Sequence, residues 1–209
     1  MSTDRKSYNQ MCTVATALDY VGDRWTLLVV RELLGGAARF NEVRDGLPGI
    51  PKNLLTERLR RLEQDGLVRQ IKVHNNVLYA LTDLGASLRP IVEELGMWGG
   101  RVYQVAPARY ERSIRAISVA LHAILVRAGD ALPTERIVIE LEVDGEFAEV
   151  TLDSTPTVTA RPSPAPHARV QTTSEHMAAM LKGKRFDDTT LKLVSGSEDA
   201  VKAFIHALG

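Results

Sequence analysis

The sequence predicts an α+β protein of two small domains, and three observations support that fold class. Apolar residues recur at helical spacing through most of the first half, where tight turns separate them. Strand-like alternation follows at residues 68–81, with a turn signal near its centre. The second half mixes helical stretches with short strands around the hairpin signal Asp144-Gly145. We therefore expect one domain over 1–106 and another over 107–209.

The composition excludes several classes of protein. Of the 209 residues, 44% are hydrophobic and 25% are charged, values typical of globular chains and not of disordered ones. The single cysteine excludes an intrachain disulfide. The polar first ten residues and the short apolar stretches predict neither a signal peptide nor a membrane span, so we expect a cytoplasmic protein.

The first domain is expected to contain helices, one hairpin and a further helix. Four helices are predicted before the hairpin, over Cys12–Tyr20, Asp23–Leu33, Phe40–Leu47 and Pro51–Asp65. Asp23 is the expected N-cap of the second of them. The hairpin has its turn at Asn75-Asn76, and the last helix runs from Thr82 to Trp98 with a kink at Pro90. Two short helices followed by a hairpin is the order of a winged helix-turn-helix.

The helix that starts at Pro51 has the pattern needed to read DNA. Leu55, Leu59 and Leu62 fall on one face and are expected to point inward. The opposite face carries Asn53, Glu57, Arg60 and Gln64, and Thr56 and Arg61 flank it. Because Asn can be bidentate to adenine and Arg to guanine, Asn53 and Arg60 are the candidate base readers.

Other basic and polar residues are candidates for contacts with the DNA backbone. Residues 39–72 carry eight Lys or Arg against five Asp or Glu, although the net charge of the whole chain is zero. Arg39, Lys52 and Arg61 are the candidate phosphate contacts. Glu57 would either accept from cytosine or orient Arg60 or Arg61. The candidate wing contacts are Lys72, His74, Asn75 and Asn76.

The same stretch resembles a known family. The motifs GDRW, RFNE, LPGI, LTERLRRLE, DGLV and YALTDLG, between Cys12 and Gly99, are similar to those of HxlR-type members of the MarR-like winged-helix regulators. The resemblance implies a homodimer that binds double-stranded DNA. A two-fold dimer is expected to bind a pseudo-palindromic operator in the nucleoid, where blocking a promoter makes repression the commoner outcome and activation the alternative. It places the dimer interface on Cys12–Tyr20 and Leu88–Tyr103, with Trp98 as an anchor. Pro51, where the family often has Ser or Thr, and the wing tip depart from the family pattern.

Cys12 allows two interpretations. Some regulators of this type respond to oxidants through a cysteine at this position, and a helix N-terminus favours the reactive thiolate. Alternatively, Cys12 is an inert residue packed in the dimer interface. Since the chain has no second cysteine, a redox switch would need an intersubunit disulfide or an adduct with a small thiol.

The second half resembles a sterol carrier protein domain, a small α+β fold that accommodates apolar ligands. The resemblance lies in residues 175–208 and in the hairpin at Asp144-Gly145. It implies an effector pocket lined by Met177, Met180, Leu181, Leu193 and Phe204. Two alternatives stay open, that these residues form only a core, or that this half enlarges the dimer interface.

The sequence does not predict an enzyme. It contains no GxSxG, P-loop, HExxH or dinucleotide-binding motif, and its five histidines are scattered. We therefore expect no catalytic residues, no metal site and no cofactor. The alternative function is a ligand-binding carrier protein whose winged helix serves mainly for dimerisation. A DNA-binding regulator would show steeply salt-dependent affinity for DNA, whereas a carrier would not.

Overall fold

The computed structural model describes residues 7–102, 113–181, 185–187 and 189–209, without the side chains of 101, 102 and 181. The chain forms two compact units, Met1–Arg89 and Pro90–Gly209. The boundary predicted between residues 106 and 107 lies outside the described residues. No helix in the described ranges is long and apolar enough to cross a membrane.

The first unit has the winged helix-turn-helix architecture that the sequence predicts. Its helices are α1 Thr13–Val21, α2 Thr26–Leu34, α3 Phe40–Asp45, α4 Lys52–Gln64 and α5 Asp83–Ala86. Its strands are β1 Ala38–Arg39, β2 Val68–Val73 and β3 Asn76–Leu81, which form an antiparallel sheet in the order β1-β3-β2. The sequence did not predict the two-residue strand β1.

The prediction of one long helix from Thr82 to Trp98 is wrong, because the structure has two helices in this range. Helix α5 ends at Ala86, and α6 begins only at Arg89 and runs to Val102. Pro90 has no backbone N–H to donate to the carbonyl of Ala86 four residues earlier, and its ring would clash with that carbonyl. The proline therefore stands in the first turn of a new helix, where a missing N–H costs nothing.

The turn of the wing hairpin is displaced by one residue from the prediction. Val73 pairs with Asn76, so the turn consists of His74 and Asn75, and His74 has a φ of 52°. Asn76 is the first residue of β3 rather than a turn residue. The register follows from the buried residue Val68 at the start of β2, since a shift by one residue would move it to the opposite face.

The second unit is a five-stranded sheet with helices. Its strands are β4 Ile137–Val143, β5 Glu146–Leu152, β6 Thr157–Thr159, β7 Ala168–Thr172 and β8 Lys192–Gly196, in the order β6-β5-β4-β7-β8. The unit also contains most of α6 and three further helices, α7 Ile114–Arg127, α8 Ser174–Leu181 and α9 Glu198–Ala207. The hairpin at Asp144-Gly145 is confirmed, since both turn residues have a positive φ, of 51° and 88°.

The sequence did not predict β7, although it is a central strand of this sheet. Ala168, Val170 and Thr172 are buried while Arg169 and Gln171 are exposed, which is the alternation of a half-buried strand. Strand β7 pairs in parallel with β4, whose residues lie about 30 positions earlier. A strand of five residues directly after a proline-rich segment gives only a short local pattern.

The core of the second unit lies on one face of the sheet. Leu121 and Leu125 of α7 and Phe204 of α9 pack with Ile139 and Leu141 of β4. The other face carries Glu140 and Glu149, which are paired across β4 and β5. The segment 161–166 is tied to this face, because Ser163 donates its backbone N–H to Glu140 (2.8 Å) and its hydroxyl to Glu149 (2.8 Å).

The residues predicted to line an apolar pocket belong to this core. Met177, Met180 and Phe204 are buried in it, and Leu193 packs against it. The side chain of Leu181 lies outside the described residues. These positions agree with the alternative in which the residues form a core, and the ligand pocket stays a prediction, as does the likeness to a sterol carrier protein.

Candidate nucleic-acid interface

Helix α4 is held in the first unit by one apolar face, as the sequence predicted. Leu55, Leu59 and Leu62 are almost completely buried. The helix ends where Gly66, with a φ of 71°, lets Leu67 donate its N–H to the carbonyl of Leu62 (2.9 Å). This closure satisfies a terminal carbonyl and fixes where the chain leaves for the wing.

The N-terminus of α4 is open to solvent. Pro51 is the N-cap rather than a residue of the first turn, and no side chain within the described ranges caps the helix there. The first backbone N–H bonded within the helix is that of Leu55, which donates to Pro51 (3.0 Å). The free N–H groups before it, together with the helix dipole, form a favourable site for an anion such as phosphate.

The exposed face of α4 presents polar and basic side chains. Its exposed residues are Lys52, Asn53, Thr56, Arg60 and Gln64. The Thr56 hydroxyl donates to the carbonyl of Lys52 (3.0 Å), so part of its hydrogen-bonding capacity is used within the helix. By contrast, the side chains of Asn53 and Arg60 form no hydrogen bond or ion pair with the part of the chain that the structure describes.

Arg61 differs from Arg60, because it is engaged within the protein. Its guanidinium lies 3.2 Å from the Asp23 carboxylate and 3.2 Å from that of Glu57. Arg58 reaches the same two carboxylates, each at 3.3 Å. Of the two roles open to Glu57, this geometry supports the ion pair that orients Arg61.

Asp23 and Arg58 were not identified as site residues from the sequence, and the N-cap role predicted for Asp23 is wrong. Helix α2 begins at Thr26 after Trp25, whose φ is 79°, and the Asp23 carboxylate is directed to α4. The two ends of this contact are 35 or more residues apart in the chain. No local sequence pattern could have paired them.

The wing lies beside the C-terminal half of α4. Gln70 of β2 donates to the Glu63 carboxylate (3.1 Å), which ties the hairpin to the helix. Burial and the nearby Glu63 carboxylate raise the pKa of the Tyr79 hydroxyl, which therefore stays protonated. The predicted wing residues Lys72, His74, Asn75 and Asn76 are all exposed.

Arg39 is exposed at the N-terminus of α3. Its backbone N–H donates to the Glu42 carboxylate (2.6 Å), so the start of α3 is fixed while the guanidinium faces solvent. Cys12 is also exposed, at the N-cap of α1. Within the described residues, no three His, Cys, Asp or Glu side chains are grouped so that they could hold a metal ion.

Two helices expose apolar side chains in rows. On α1, Val14 and Leu18 are four residues apart and exposed. On α6, the exposed residues Ile91, Leu95 and Trp98 follow the i, i+4, i+7 spacing of one helix face. These are the two helices that the sequence assigned to dimerisation.

Comparison with known proteins gives concordant matches. The HxlR-like helix-turn-helix family model matches residues 20–126. The uncharacterised HTH-type transcriptional regulator YdeP of Bacillus subtilis (strain 168) is 38% identical over 91 residues, 42% of this chain and 71% of YdeP. The HTH-type transcriptional regulator YodB of the same organism is 35% identical over 94 residues, 43% of this chain and 84% of YodB. The solved redox regulator HypR, in its oxidised form, is 38% identical with a TM-score of 0.42, covering 43% of this chain and 96% of HypR.

Proposed function

The chain belongs to the HxlR-like helix-turn-helix family of transcriptional regulators, and from this premise we propose that α4 is the recognition helix of a sequence-specific, dimeric repressor. One observation carries the proposal. Helix α4 exposes Lys52, Asn53 and Arg60 above a buried leucine face, beside an exposed hairpin. A helix with one buried apolar face and one exposed polar face can enter the major groove while it stays packed on its own domain.

The exposed residues divide into base readers and phosphate contacts. Asn53 and Arg60 can each form two hydrogen bonds to one base edge, to adenine and guanine respectively. Lys52 and the free N–H groups at the start of α4 suit a phosphate, as does Arg39 at the start of α3. The wing residues Lys72, His74, Asn75 and Asn76 contact the backbone or the minor groove.

The active species is a homodimer on a pseudo-palindromic operator. The exposed apolar rows on α1 and α6 supply surface that a second copy would bury. A two-fold dimer presents two copies of α4 to half-sites about 10 bp apart, one turn of the double helix. Binding of this kind over a promoter blocks transcription, and the protein acts in the cytoplasm at the nucleoid.

Two inputs modulate this binding. Oxidation of the exposed Cys12, through an intersubunit disulfide or an adduct with a small thiol, lowers affinity for the operator. An apolar effector bound by the second unit is the other input, with Met177, Met180, Leu181, Leu193 and Phe204 as its contacts. The buried methionines have flexible side chains that suit a pocket wall able to adapt to a ligand, and their packing equally suits a core without a ligand.

A binding titration at two salt concentrations tests the proposal. The duplex is selected by the purified protein from a random pool, and an unselected duplex of equal length is the control. We expect tight binding to the selected duplex and a steep fall in affinity as salt increases. If selection enriches no sequence and salt has no effect, the carrier alternative replaces the regulator.

A further inference from the structure

The turn before α2 holds two arginines of the recognition helix. One carboxylate oxygen of Asp23 lies 3.3 Å from Arg58 Nη1 and 3.2 Å from Arg61 Nη1. Arg58 also donates its Nε–H to the backbone carbonyl of Arg24 (3.3 Å). Three contacts therefore join this turn to α4, and all three depend on arginine side chains.

The turn itself is closely defined. Trp25 has a φ of 79°, a left-handed conformation that bulky side chains rarely adopt. The guanidinium of Arg24 lies over its indole ring at 5.4 Å. Such a conformation persists only where its surroundings hold it. The turn therefore has a defined position beside α4.

Exposure separates the arginines of α4 into two kinds. The side chain of Arg58 is 12% exposed and that of Arg61 is 34% exposed, whereas Arg60 belongs to the exposed face of the helix. Arg61 also divides its donors between Asp23 and Glu57. Both contacts hold its guanidinium against carboxylates, whose negative charge offsets its attraction for a phosphate.

The four side chains of this network balance in charge. Asp23 and Glu57 carry two negative charges, and Arg58 and Arg61 carry two positive charges. The network therefore adds no net attraction for DNA while Asp23 is ionised. Without the Asp23 charge it would have a net charge of +1, with Arg61 as its more exposed cation.

We infer that Asp23 is a specificity-determining positioning residue, which rests on the proposed function of α4. It holds the side chain of Arg58 against the turn before α2, and it withholds Arg61 from indiscriminate phosphate contact. Asp23 touches no DNA in this scheme. It acts by reserving the exposed face of α4 for Asn53 and Arg60, the side chains that can read bases.

The first test compares the wild-type protein with Asp23→Asn and with Asp199→Asn. Asp199 is a control with the same charge change, since it is exposed on α9 and paired only with Lys202 (3.7 Å) among the described residues. Affinity is measured for selected and random duplexes over a range of salt. For Asp23→Asn we expect the ratio of the two affinities to fall about threefold to tenfold, and the salt slope on random DNA to steepen by about 0.9. Asp199→Asn should match the wild type in both.

The second test isolates Arg61. The salt slope follows the number of phosphates that the protein contacts rather than its net charge. We therefore expect Arg61→Ala to leave the slope of the wild-type protein unchanged, because Arg61 contacts no phosphate while Asp23 holds it. In the Asp23→Asn background, the same substitution should return the steepened slope to its wild-type value. A slope that falls by about 0.9 in Arg61→Ala alone would overturn the inference.

The outcomes separate this inference from the proposed function. A wild-type protein that prefers no duplex contradicts the proposed function itself. A wild-type protein that selects its duplex, with an Asp23→Asn variant that keeps the wild-type ratio and slope, contradicts only the role given to Asp23. Thermal unfolding of each variant, monitored by circular dichroism, verifies that the compared proteins are folded.

Discussion

At the scale of single residues, Arg60 and Lys52 share the exposed side of α4 but have different proposed tasks. Arg60 lies in the middle of the helix, where a guanidinium can form two hydrogen bonds to guanine. Lys52 lies at the N-terminus, where a point charge and free N–H groups attract phosphate. Phosphate is the same at every step of DNA, whereas the base edges differ with the sequence, so the two residues should respond differently to substitution.

We expect Arg60→Ala to reduce affinity for the selected duplex by about 1–3 kcal/mol and to relax the preference at one base position. Lys52→Ala is the matched control, since it should weaken all sequences alike and flatten the salt slope by about 0.9. Titration against duplexes with single base-pair changes measures both effects. Equal losses on selected and random DNA for Arg60→Ala would contradict its role as a base reader.

The proposed redox role of Cys12 can be tested specifically, because the chain has no other thiol. The exposed thiol should react promptly with a colorimetric disulfide reagent. We expect hydrogen peroxide to lower operator affinity of the wild-type protein and to leave Cys12→Ser unaffected. If both proteins lose affinity equally, the oxidant acts elsewhere, and the methionines become the residues to examine.

At the scale of elements, the sheet of the second unit shows how a proline-rich segment is fixed. Glu149 accepts from Arg161 (2.7 Å) and from the Ser163 hydroxyl. The hydrogen bond from Arg161 is the main reason that the pKa of the Glu149 carboxyl lies below its usual value, and the Ser163 hydroxyl lowers it further. The stabilisation is therefore present above the ordinary carboxyl pKa of about 4.3 and is lost as the pH falls through the lower folded-state pKa.

We expect Arg161→Ala to lower the free energy of unfolding at pH 7 by less than about 1 kcal/mol, because Arg161 is 63% exposed and solvent screens the pair. The difference from the wild type should shrink as the pH falls below about 4. Urea unfolding at several pH values measures it, with Lys202→Ala as a control for an exposed pair. A difference independent of pH would show that Arg161 acts through packing alone.

At the scale of the whole molecule, the proposed function requires two copies of the chain. Trp98 is 61% exposed and shares a helix face with Ile91 and Leu95. A row of this kind is costly in water and is favourable when a partner covers it. Tryptophan is also among the residues that most often dominate the energy of an interface.

We expect Trp98→Ala to shift the protein toward monomer and to weaken operator binding more than tenfold, a loss of at least about 1.4 kcal/mol. Val194→Ala, which also truncates an exposed apolar residue, is the control and should change neither property. Sedimentation equilibrium and binding titrations provide the measurements. A Trp98→Ala protein that stays dimeric with full affinity would place the interface elsewhere.

Elements with local signals could be predicted from the amino-acid sequence. Spacing and turn chemistry predicted the leucine face of α4, the hairpin at Asp144-Gly145 and the winged-helix order. The exposed candidates on α4 follow from the same spacing, because one buried face defines the other. Family motifs in this stretch added the regulator class.

Contacts between residues that are distant in the chain could not be predicted and are seen only in the folded protein, whose tertiary structure explains the remaining features. It paired β7 with β4 and set the wing turn at His74-Asn75 through the sheet register. It also turned Asp23 from an expected helix cap into a partner of Arg58 and Arg61, which separates Arg61 from Arg60 although the two are neighbours. Periodicity specifies which side of its own helix a residue occupies, but only the packed fold specifies which charge it meets there.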